Sequence, residues 1–332
     1  MSGTTFLLAP CTGVGKALAV VTRRAACLVH QAHLDTTVLL SMPALLAGDR
    51  QQRRLVRGLR AILINGCAER CASHVLADLG IRPVAVIDVV KVLAEVKSPP
   101  GKARQELQES GKQLAVAVAE RIQRAMNGAT LRAAGGRTPL SVPPRQKKCA
   151  CMSLASRTNG RTGNRSPPAY VTLLPCQGIR RSGGRVTQRA AYILDEERFP
   201  GKTALLCIPA LAATVQEDVD MLEQFPTVAI NGCGAQCATK IAGKYGVKPA
   251  VSVDLNETVP GFDGGHECAL PDLTDEESKA AVYLADAVEP AISDLLAGTR
   301  QEQRERAVGN RKCGPVRASR LCKGSGGASK TS

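Results

Sequence analysis

Short apolar runs alternate with longer amphipathic stretches along most of the chain. The apolar runs lie at 6–9, 37–40, 61–64, 84–87, 170–174, 203–206, 228–230 and 251–253. Between them, apolar residues recur with helical spacing at about 17–30, 68–79, 104–127, 184–195, 234–245 and from Thr274 onward. Apolar runs that alternate with helices are typical of βαβ units, whose strands form a parallel sheet. The pattern therefore predicts an α/β fold.

The two halves of this pattern are copies of one module. Residues 61–88 align without a gap with 227–254 and share nine identities in 28 positions, where chance would give roughly two. We therefore predict two tandem, small, doubly wound modules with parallel sheets. The predicted segments are a first module at 1–128, a flexible basic linker at 129–169, a second module at 170–298 and a disordered basic tail at 299–332.

Cysteines follow the predicted strands of the second module. Cys176 comes after its first strand, Cys207 after its second and Cys233 after its third, and Cys237 lies in the next predicted helix. Sites in open α/β sheets form at the carboxyl ends of the strands, so we expect these four thiols to converge. Four thiolates are the ligands of tetrahedral zinc or of a small iron–sulfur cluster. We also expect Cys233 and Cys237 to share one face of the first helical turn.

The first module has an incomplete version of this set. Cys11, Cys67 and Cys71 match Cys176, Cys233 and Cys237, but Ser41 stands where the second module has Cys207. Such a site would bind metal together with water, bind it weakly, or be a degenerate copy, and we favour the last of these. Cys27 falls within a predicted helix, where we expect it to belong to the core.

Both modules resemble the DGC-domain family, to which zinc binding is ascribed and whose name comes from an Asp-Gly-Cys motif. The matching motifs are Pro10-Cys11-Thr12-Gly13, Asn65-Gly66-Cys67 with Cys71, Pro175-Cys176-Gln177-Gly178, Cys207, and Asn231-Gly232-Cys233 with Cys237. The resemblance implies four chelating cysteines and zinc as the metal, and it supplies no reaction. Asn65 and Asn231 replace the aspartate that names the family, so any role of that carboxylate is in doubt here.

Other candidate features are weaker. Gly13-Val14-Gly15-Lys16 lacks the first glycine and the final hydroxyl residue of a Walker phosphate loop. Asp88 and Asp254 end the fourth strands, where they would be ligand-orienting acceptors, general bases or ordinary caps. His266 and Cys268 would be auxiliary ligands or part of a surface loop. Four more cysteines, in the linker and tail, lie outside the repeated pattern: Cys149, Cys151, Cys313 and Cys322. No Ser-His-Asp grouping is evident, which disfavours an enzyme without deciding the question, since the cysteine cluster itself is a reactive group.

Charge and compartment refine the functional hypotheses. Of the net charge of +15, residues 129–170 carry +8 and residues 299–332 carry +7, so the modules together are neutral. Nucleic-acid binding through the linker and tail is therefore the third hypothesis. It follows zinc binding and a thiol-redox or iron–sulfur protein that uses the same cysteines. The N-terminal apolar run is too short for a signal peptide, and we expect a cytoplasmic protein without a membrane partner. Any protein partner is unknown.

Overall fold

The structure, a computed structural model, describes residues 4–101, 107–132, 170–264 and 272–312. The strands of the first module are β1 (Phe6–Pro10), β2 (Thr37–Leu39), β3 (Arg60–Asn65) and β4 (Ala85–Asp88). Its helices are α1 (Ala17–Ala32), α2 (Met42–Leu46), α3 (Arg50–Gly58), α4 (Cys71–Asp78), α5 (Val89–Val96) and α6 (Glu109–Arg132).

The second module repeats this order. Its strands are β5 (Val171–Pro175), β6 (Thr203–Leu205), β7 (Thr227–Asn231) and β8 (Val251–Asp254). Its helices are α7 (Ser182–Tyr192), a π-helical turn (Ile193–Arg198), α8 (Ile208–Ala212), α9 (Gln216–Gln224), α10 (Cys237–Lys244), α11 (Leu255–Thr258) and α12 (Asp275–Lys312).

Each module is built on a four-stranded parallel sheet, which confirms the predicted fold. The strand orders are β2-β1-β3-β4 and β6-β5-β7-β8. Alternate residues of a strand point to opposite faces of a sheet. Accordingly, Phe6 and Leu8 pack in the cluster that contains α1 and α6, whereas Leu7 and Ala9 pack in the cluster that contains α2 and α4. Helices therefore cover both faces of the sheet, as the term doubly wound requires.

Several helix boundaries differ from the prediction. Helices α4 and α10 begin at Cys71 and Cys237 rather than at 68 and 234, because Arg70 and Gln236 adopt left-handed backbone conformations with φ of 49° and 51°. The predicted capping box is confirmed, since the Thr274 N–H donates to Glu277 and the Glu277 N–H donates to Thr274 Oγ1. Helix α12 continues past residue 298 to Lys312, into the segment that was predicted to be a disordered tail.

The modules pack against each other through matching elements. Helix α2 contacts α10 of the second module, α8 contacts α4 of the first, and α2 and α8 contact each other. Leu46 and Ala47 pack on the core of the second module, and Ala212 packs on the core of the first. The helix that follows the second strand of each module thus reaches across to its neighbour. Within the described residues, no helix is both long and apolar enough to cross a membrane.

Candidate metal centre

The cysteine loops lie at the point where the strand order of each sheet reverses. The chain passes from β1 outward to β2 and then crosses to β3 on the other side of β1, so the switch point lies between β1 and β3. Ligand sites of open α/β sheets form at this point. Cys11 follows β1 and Cys67 follows β3, and the Cys11 N–H donates to the Ile64 carbonyl at 2.8 Å. Cys176 is held in the same way by Ile230, at 2.7 Å.

Cys207 lies in the first module's cluster, although it belongs to the second module. It precedes α8, which packs on α4, and it contacts the apolar group formed by Cys71, Ala210 and Ala213. A Cβ added at Gly13 would lie 2.6 Å from Sγ of Cys207 and 3.7 Å from Sγ of Cys11. Because such an approach excludes a side chain, glycine at position 13 leaves room for Sγ of Cys207 near Sγ of Cys11. Cys207 also interacts electrostatically with Cys11, Cys67 and Cys71.

Ser41 makes the reciprocal crossing. It precedes α2, which packs on α10. A Cβ added at Gly178 would lie 3.5 Å from Oγ of Ser41 and 3.7 Å from Sγ of Cys176. The second module's thiols therefore have Ser41 of the first module as their neighbour in the place that Cys207 takes in the other cluster.

The grouping of the seven predicted cysteines is therefore not the one expected from the sequence. We define the first cluster as Cys11, Cys67, Cys71 and Cys207, and the second cluster as Cys176, Cys233 and Cys237 with Ser41. The sequence grouped Cys207 with the second module because the repeat relates positions within a module. The interface instead exchanges the residue that follows the second strand, so the fourth thiol completes the first module's set.

In the first cluster, one thiol is strongly acidified by its neighbour. A hydrogen bond from Cys71 lowers the pKa of Cys67 to about 6, with a further contribution from Lys16. The same hydrogen bond and burial raise the pKa of the Cys71 thiol. The largest cause of the lowered pKa of Cys67 is therefore the partner thiol, and a hydrogen bond from the Glu69 backbone N–H also contributes. Cys67 precedes α4 and Cys71 begins it. Cys233 and Cys237 are placed in the same way at the start of α10, so the prediction that Cys233 and Cys237 share one helical turn is wrong.

The two remaining thiols of the first cluster favour their neutral form. Burial, and the nearby Cys67, raise the pKa of Cys11 to about 11. Desolvation and the carboxylate of Asp218 raise the pKa of Cys207. Asp218 accepts a hydrogen bond from the Cys207 N–H at 2.8 Å, and burial raises its own pKa to about 7. Gln52 holds the Ser41 N–H at 3.0 Å in the same way.

The second cluster has a different acidified thiol. A hydrogen bond from Cys237 lowers the pKa of Cys176 to about 7, and the guanidinium of Arg23 in the first module contributes. The same hydrogen bond raises the pKa of Cys237. Nη1 of Arg181 lies 3.8 Å from Sγ of Cys233. Sequence analysis missed Arg23, Arg181 and Asp218, since nothing in their spacing links them to the cysteines.

The asparagines in place of the family's aspartate hold strand ends to helices. Nδ2 of Asn65 donates to Ser73 at 2.8 Å and to Asp88 at 3.1 Å, and its Oδ1 accepts from the Ser73 N–H. Asn231 does the same with Thr239 and Ser252. The donor half of the amide is therefore used in both modules, and a carboxylate could not supply it.

The two strand-end aspartates make structural contacts. Asp88 forms an ion pair with Arg70 at 2.7 Å. Asp254 caps α11 by accepting from the Asn256 N–H at 3.0 Å. Asp254 thus fits its interpretation as a cap, whereas the Asp88 side chain makes no capping hydrogen bond with α5. Their alternative roles as ligand-orienting groups or general bases stay predictions.

The remaining candidates separate into those that are placed and those that are not. Cys27 lies in the core beside α6, as predicted. The N–H of Gly15, in the loop weighed as a phosphate site, donates instead to the Tyr192 hydroxyl at 2.9 Å. His266, Cys268, Cys149, Cys151, Cys313 and Cys322 lie outside the described residues, as does most of the basic linker. In the part of the chain that is described, no three His, Cys, Asp or Glu side chains are arranged to hold a metal ion.

These observations define the class of protein. It is a tandem pair of parallel α/β modules with a cysteine cluster at the carboxyl edge of each sheet. The sequence profile of the DGC domain matches residues 7–110 and 172–282. The chain belongs to the DGC-domain family and contains two tandem copies of the domain. Neither the curated proteins nor the solved structures include a match.

Proposed function

We propose that the chain binds a zinc ion through the first cluster, Cys11, Cys67, Cys71 and Cys207. The observation that carries this proposal is the position of Cys207, which brings a fourth thiol from the other module to three thiols at a sheet switch point. Four cysteine sulfurs are one of the usual donor sets of a closed, structural zinc site. Family membership alone would not distinguish which four thiols act together.

The protonation of the thiols supports the same proposal. Cys67 is already acidified, and its charge is stabilised by the proton that Cys71 shares with it. A divalent cation would take the place of such protons, because a cysteine ligates zinc as the thiolate and not as the thiol. Binding should therefore release protons and draw the four sulfurs closer than they lie here. The ion would also link α4 to the loop before α8, and hence one module to the other.

The second cluster is proposed to bind zinc more weakly or with an open position. Its fourth neighbour is the Ser41 hydroxyl, which does not belong to the usual zinc donors in proteins. Three protein ligands and a water molecule are the arrangement of catalytic zinc sites, so a reaction at this cluster is compatible with its donor set. The first hypothesis for this cluster, that it is the complete site, loses the support of Cys207.

Metal analysis of single variants tests both the metal and the grouping. The protein is purified without oxygen, and zinc and iron are quantified for wild type, Cys207→Ser, Cys67→Ser and Cys233→Ser. We expect Cys207→Ser and Cys67→Ser to lose the same ion, and the double variant to lose nothing further. Cys233→Ser is the matched control, because it removes an equivalent thiol from the other cluster.

Three outcomes would overturn the proposal. Wild type could carry no stoichiometric metal, which would exclude metal binding. Cys207→Ser and Cys233→Ser could lose one shared ion that Cys67→Ser keeps, which would restore the grouping by module. The bound metal could be iron with visible absorbance, which zinc lacks, and the clusters would then hold iron and sulfide.

A thiol-redox function is the second candidate, and the Cys176–Cys237 pair favours it. With a peroxide as oxidant, the Cys176 thiolate would attack one oxygen, forming a sulfenic acid and releasing hydroxide. The Cys237 thiol would then displace the sulfenic oxygen as water and complete a disulfide. We expect peroxide to remove two titratable thiols from wild type, and Cys237→Ser to stop at the sulfenic acid. Equal thiol loss in both proteins would rule out this pair.

A further inference from the structure

A cleft lies between the two modules, and no cysteine is among its described lining residues. It lies between α1 and α7 and has a volume of about 330 Å³. Gly13 lines it and also contacts Cys207, so the cleft and the first cluster share one wall. Ligand pockets commonly have volumes of about 300–1,000 Å³. The cleft is therefore large enough for a small molecule and too small for a nucleic-acid duplex.

Cationic side chains dominate the walls of the cleft. Arg23, Arg24, Lys112, Arg185 and Arg189 all line it, and Asp272 is the one carboxylate among the described lining residues. Asp272 forms an ion pair with Arg24, and Glu277, which does not line the cleft, forms an ion pair with Arg185. Arg189 forms a third ion pair, in which its Nη2 lies 3.9 Å from Oε1 of the half-exposed Glu197. These pairs account for three of the five cations.

Arg23 is the unusual member of this set. Its side chain is 8% exposed, yet it forms no hydrogen bond or ion pair with any residue that the structure describes. Desolvation lowers its pKa to about 10; Cys27, Tyr192 and Cys176 oppose this shift, and the neighbouring Arg185 adds to it. Burial of a charge without a carboxylate partner is costly, and proteins normally pair such a group. An arginine kept in this state beside a cavity is suited to an anionic ligand.

We propose that the inter-module cleft binds the phosphate group of a small phosphomonoester, with Arg23 and Lys112 as its principal cationic contacts. Two cations without a carboxylate partner among the described residues match the two negative charges of a phosphomonoester better than the single charge of a carboxylate. Arginine presents several N–H donors in one plane and suits phosphate oxygens. The site spans both modules, since Arg23 and Lys112 come from the first and Gln188 and Arg189 from the second. It does not depend on the zinc proposal.

Phosphate titration of the full-length chain tests this site. Inorganic phosphate, then phosphomonoesters of increasing size, are titrated by calorimetry into wild type, Arg23→Gln and Lys112→Gln. The matched control is Arg198→Gln, which removes an arginine that pairs with Asp286 on the outside of the second module. We expect Arg23→Gln to weaken phosphate binding at least about tenfold. Lys112→Gln should weaken it less, and Arg198→Gln should leave it unchanged.

Stability separates loss of the ligand from loss of the fold. Removal of a buried charge that has no carboxylate partner should leave the unfolding temperature of Arg23→Gln in phosphate-free buffer equal to that of wild type or higher. The rise in unfolding temperature that phosphate causes in wild type should be absent from this variant. Equal weakening by Arg23→Gln and Arg198→Gln would mean that phosphate binds diffusely to a basic chain and would overturn the proposal. Unchanged binding in both Arg23→Gln and Lys112→Gln would also overturn it.

Discussion

The two modules have the same kind of sheet, the same strand order and the same hydrogen-bonded asparagine at the end of the third strand, but their cysteine clusters are not equivalent. The position after the second strand is Cys207 in one module and Ser41 in the other, and each lies against the opposite cluster. One substitution in the first module thus removes the fourth thiol from the second module's set. When two modules each contribute a residue to the other's site, a substitution in one module alters the cysteine cluster of the other.

The modules also differ in how they use charge next to the sheet. Arg185 and Glu277 form an ion pair between α7 and α12, with side chains only 4% and 5% exposed. Val20 is the aligned residue of the first module, where α1 packs on α6 through apolar contacts. Arg70 and Asp88 are paired in the first module, whereas Gln236 and Asp254 occupy the aligned positions. The shared backbone therefore tolerates either apolar or ionic packing.

Exchange of Ser41 and Cys207 should transfer the four-thiol site from the first cluster to the second. In Ser41→Cys/Cys207→Ser, zinc content should stay that of wild type, but the ion should now be lost with Cys233→Ser and kept with Cys67→Ser. Affinity at the first cluster should fall by at least about 100-fold, since changes to groups that merely contact ligands already cost about 10–100-fold. Metal analysis and competition with a chelator measure both quantities.

The single variant Ser41→Cys is the companion to this exchange. It should add a second ion without disturbing the first, because it supplies the missing thiol to Cys176, Cys233 and Cys237. If the exchange variant instead keeps the wild-type dependence on Cys67, the fourth ligand does not come from the opposite module. The comparison between the two clusters would then have to be explained by residues other than 41 and 207.

Much of each module could be predicted from the sequence, because the strands bury both faces and stand out as apolar runs. Their parallel pairing places Cys11, Cys67, Cys176 and Cys233 at the carboxyl edges, as expected. The starts of α4 and α10 could not be predicted, since the left-handed conformations of Arg70 and Gln236 are unusual for those residue types. Local propensity favours a helix over the same positions.

The exchange of Cys207 and Ser41 could not be predicted either. A repeat relates residues within modules and contains no information on how the modules pack. The apolar residues of MPALLA and IPALAA fit a module's own core as well as an interface. The same argument applies to Arg23, which is an ordinary helix residue in the sequence but is buried near Arg185, Tyr192 and Cys176 of the second module.

The buried ion pair of the second module should be the costliest charge to remove. Glu277→Gln keeps an oxygen for the Thr274 N–H but removes the negative charge that faces Arg185. We expect a loss of about 3 kcal/mol in the free energy of unfolding. Asp286→Asn, on the same helix, should cost under about 1 kcal/mol, because the paired side chains of Asp286 and Arg198 are 57% and 40% exposed, respectively. Denaturant unfolding in phosphate-free buffer measures both, and equal costs would contradict this difference between buried and exposed pairs.

Asn65 and Asn231 provide the smallest and most specific contrast between the modules, because their side chains have different partners on the fourth strands. Asn65→Asp would place a carboxylate at the 3.1 Å contact with Asp88, whereas Asn231→Asp would face the hydroxyls of Thr239 and Ser252, which can donate to it. Repulsion from Asp88 should raise the pKa of the introduced carboxyl above its unfolded value. We expect a cost of about 1 kcal/mol for Asn65→Asp and less for Asn231→Asp at neutral pH.

The pH dependence of that cost identifies its origin. A carboxyl whose pKa is raised by folding stabilises the protein relative to its ionised form at acid pH, and this stability is lost as the pH rises through the folded-state pKa. The penalty of Asn65→Asp should therefore shrink when the pH is lowered and should be full at pH 7. A penalty that does not change with pH would mean that the lost amide donor, rather than the new charge, is responsible. Asparagine would then be selected at position 65 for its N–H groups, and the family's aspartate would need a different partner from Asp88.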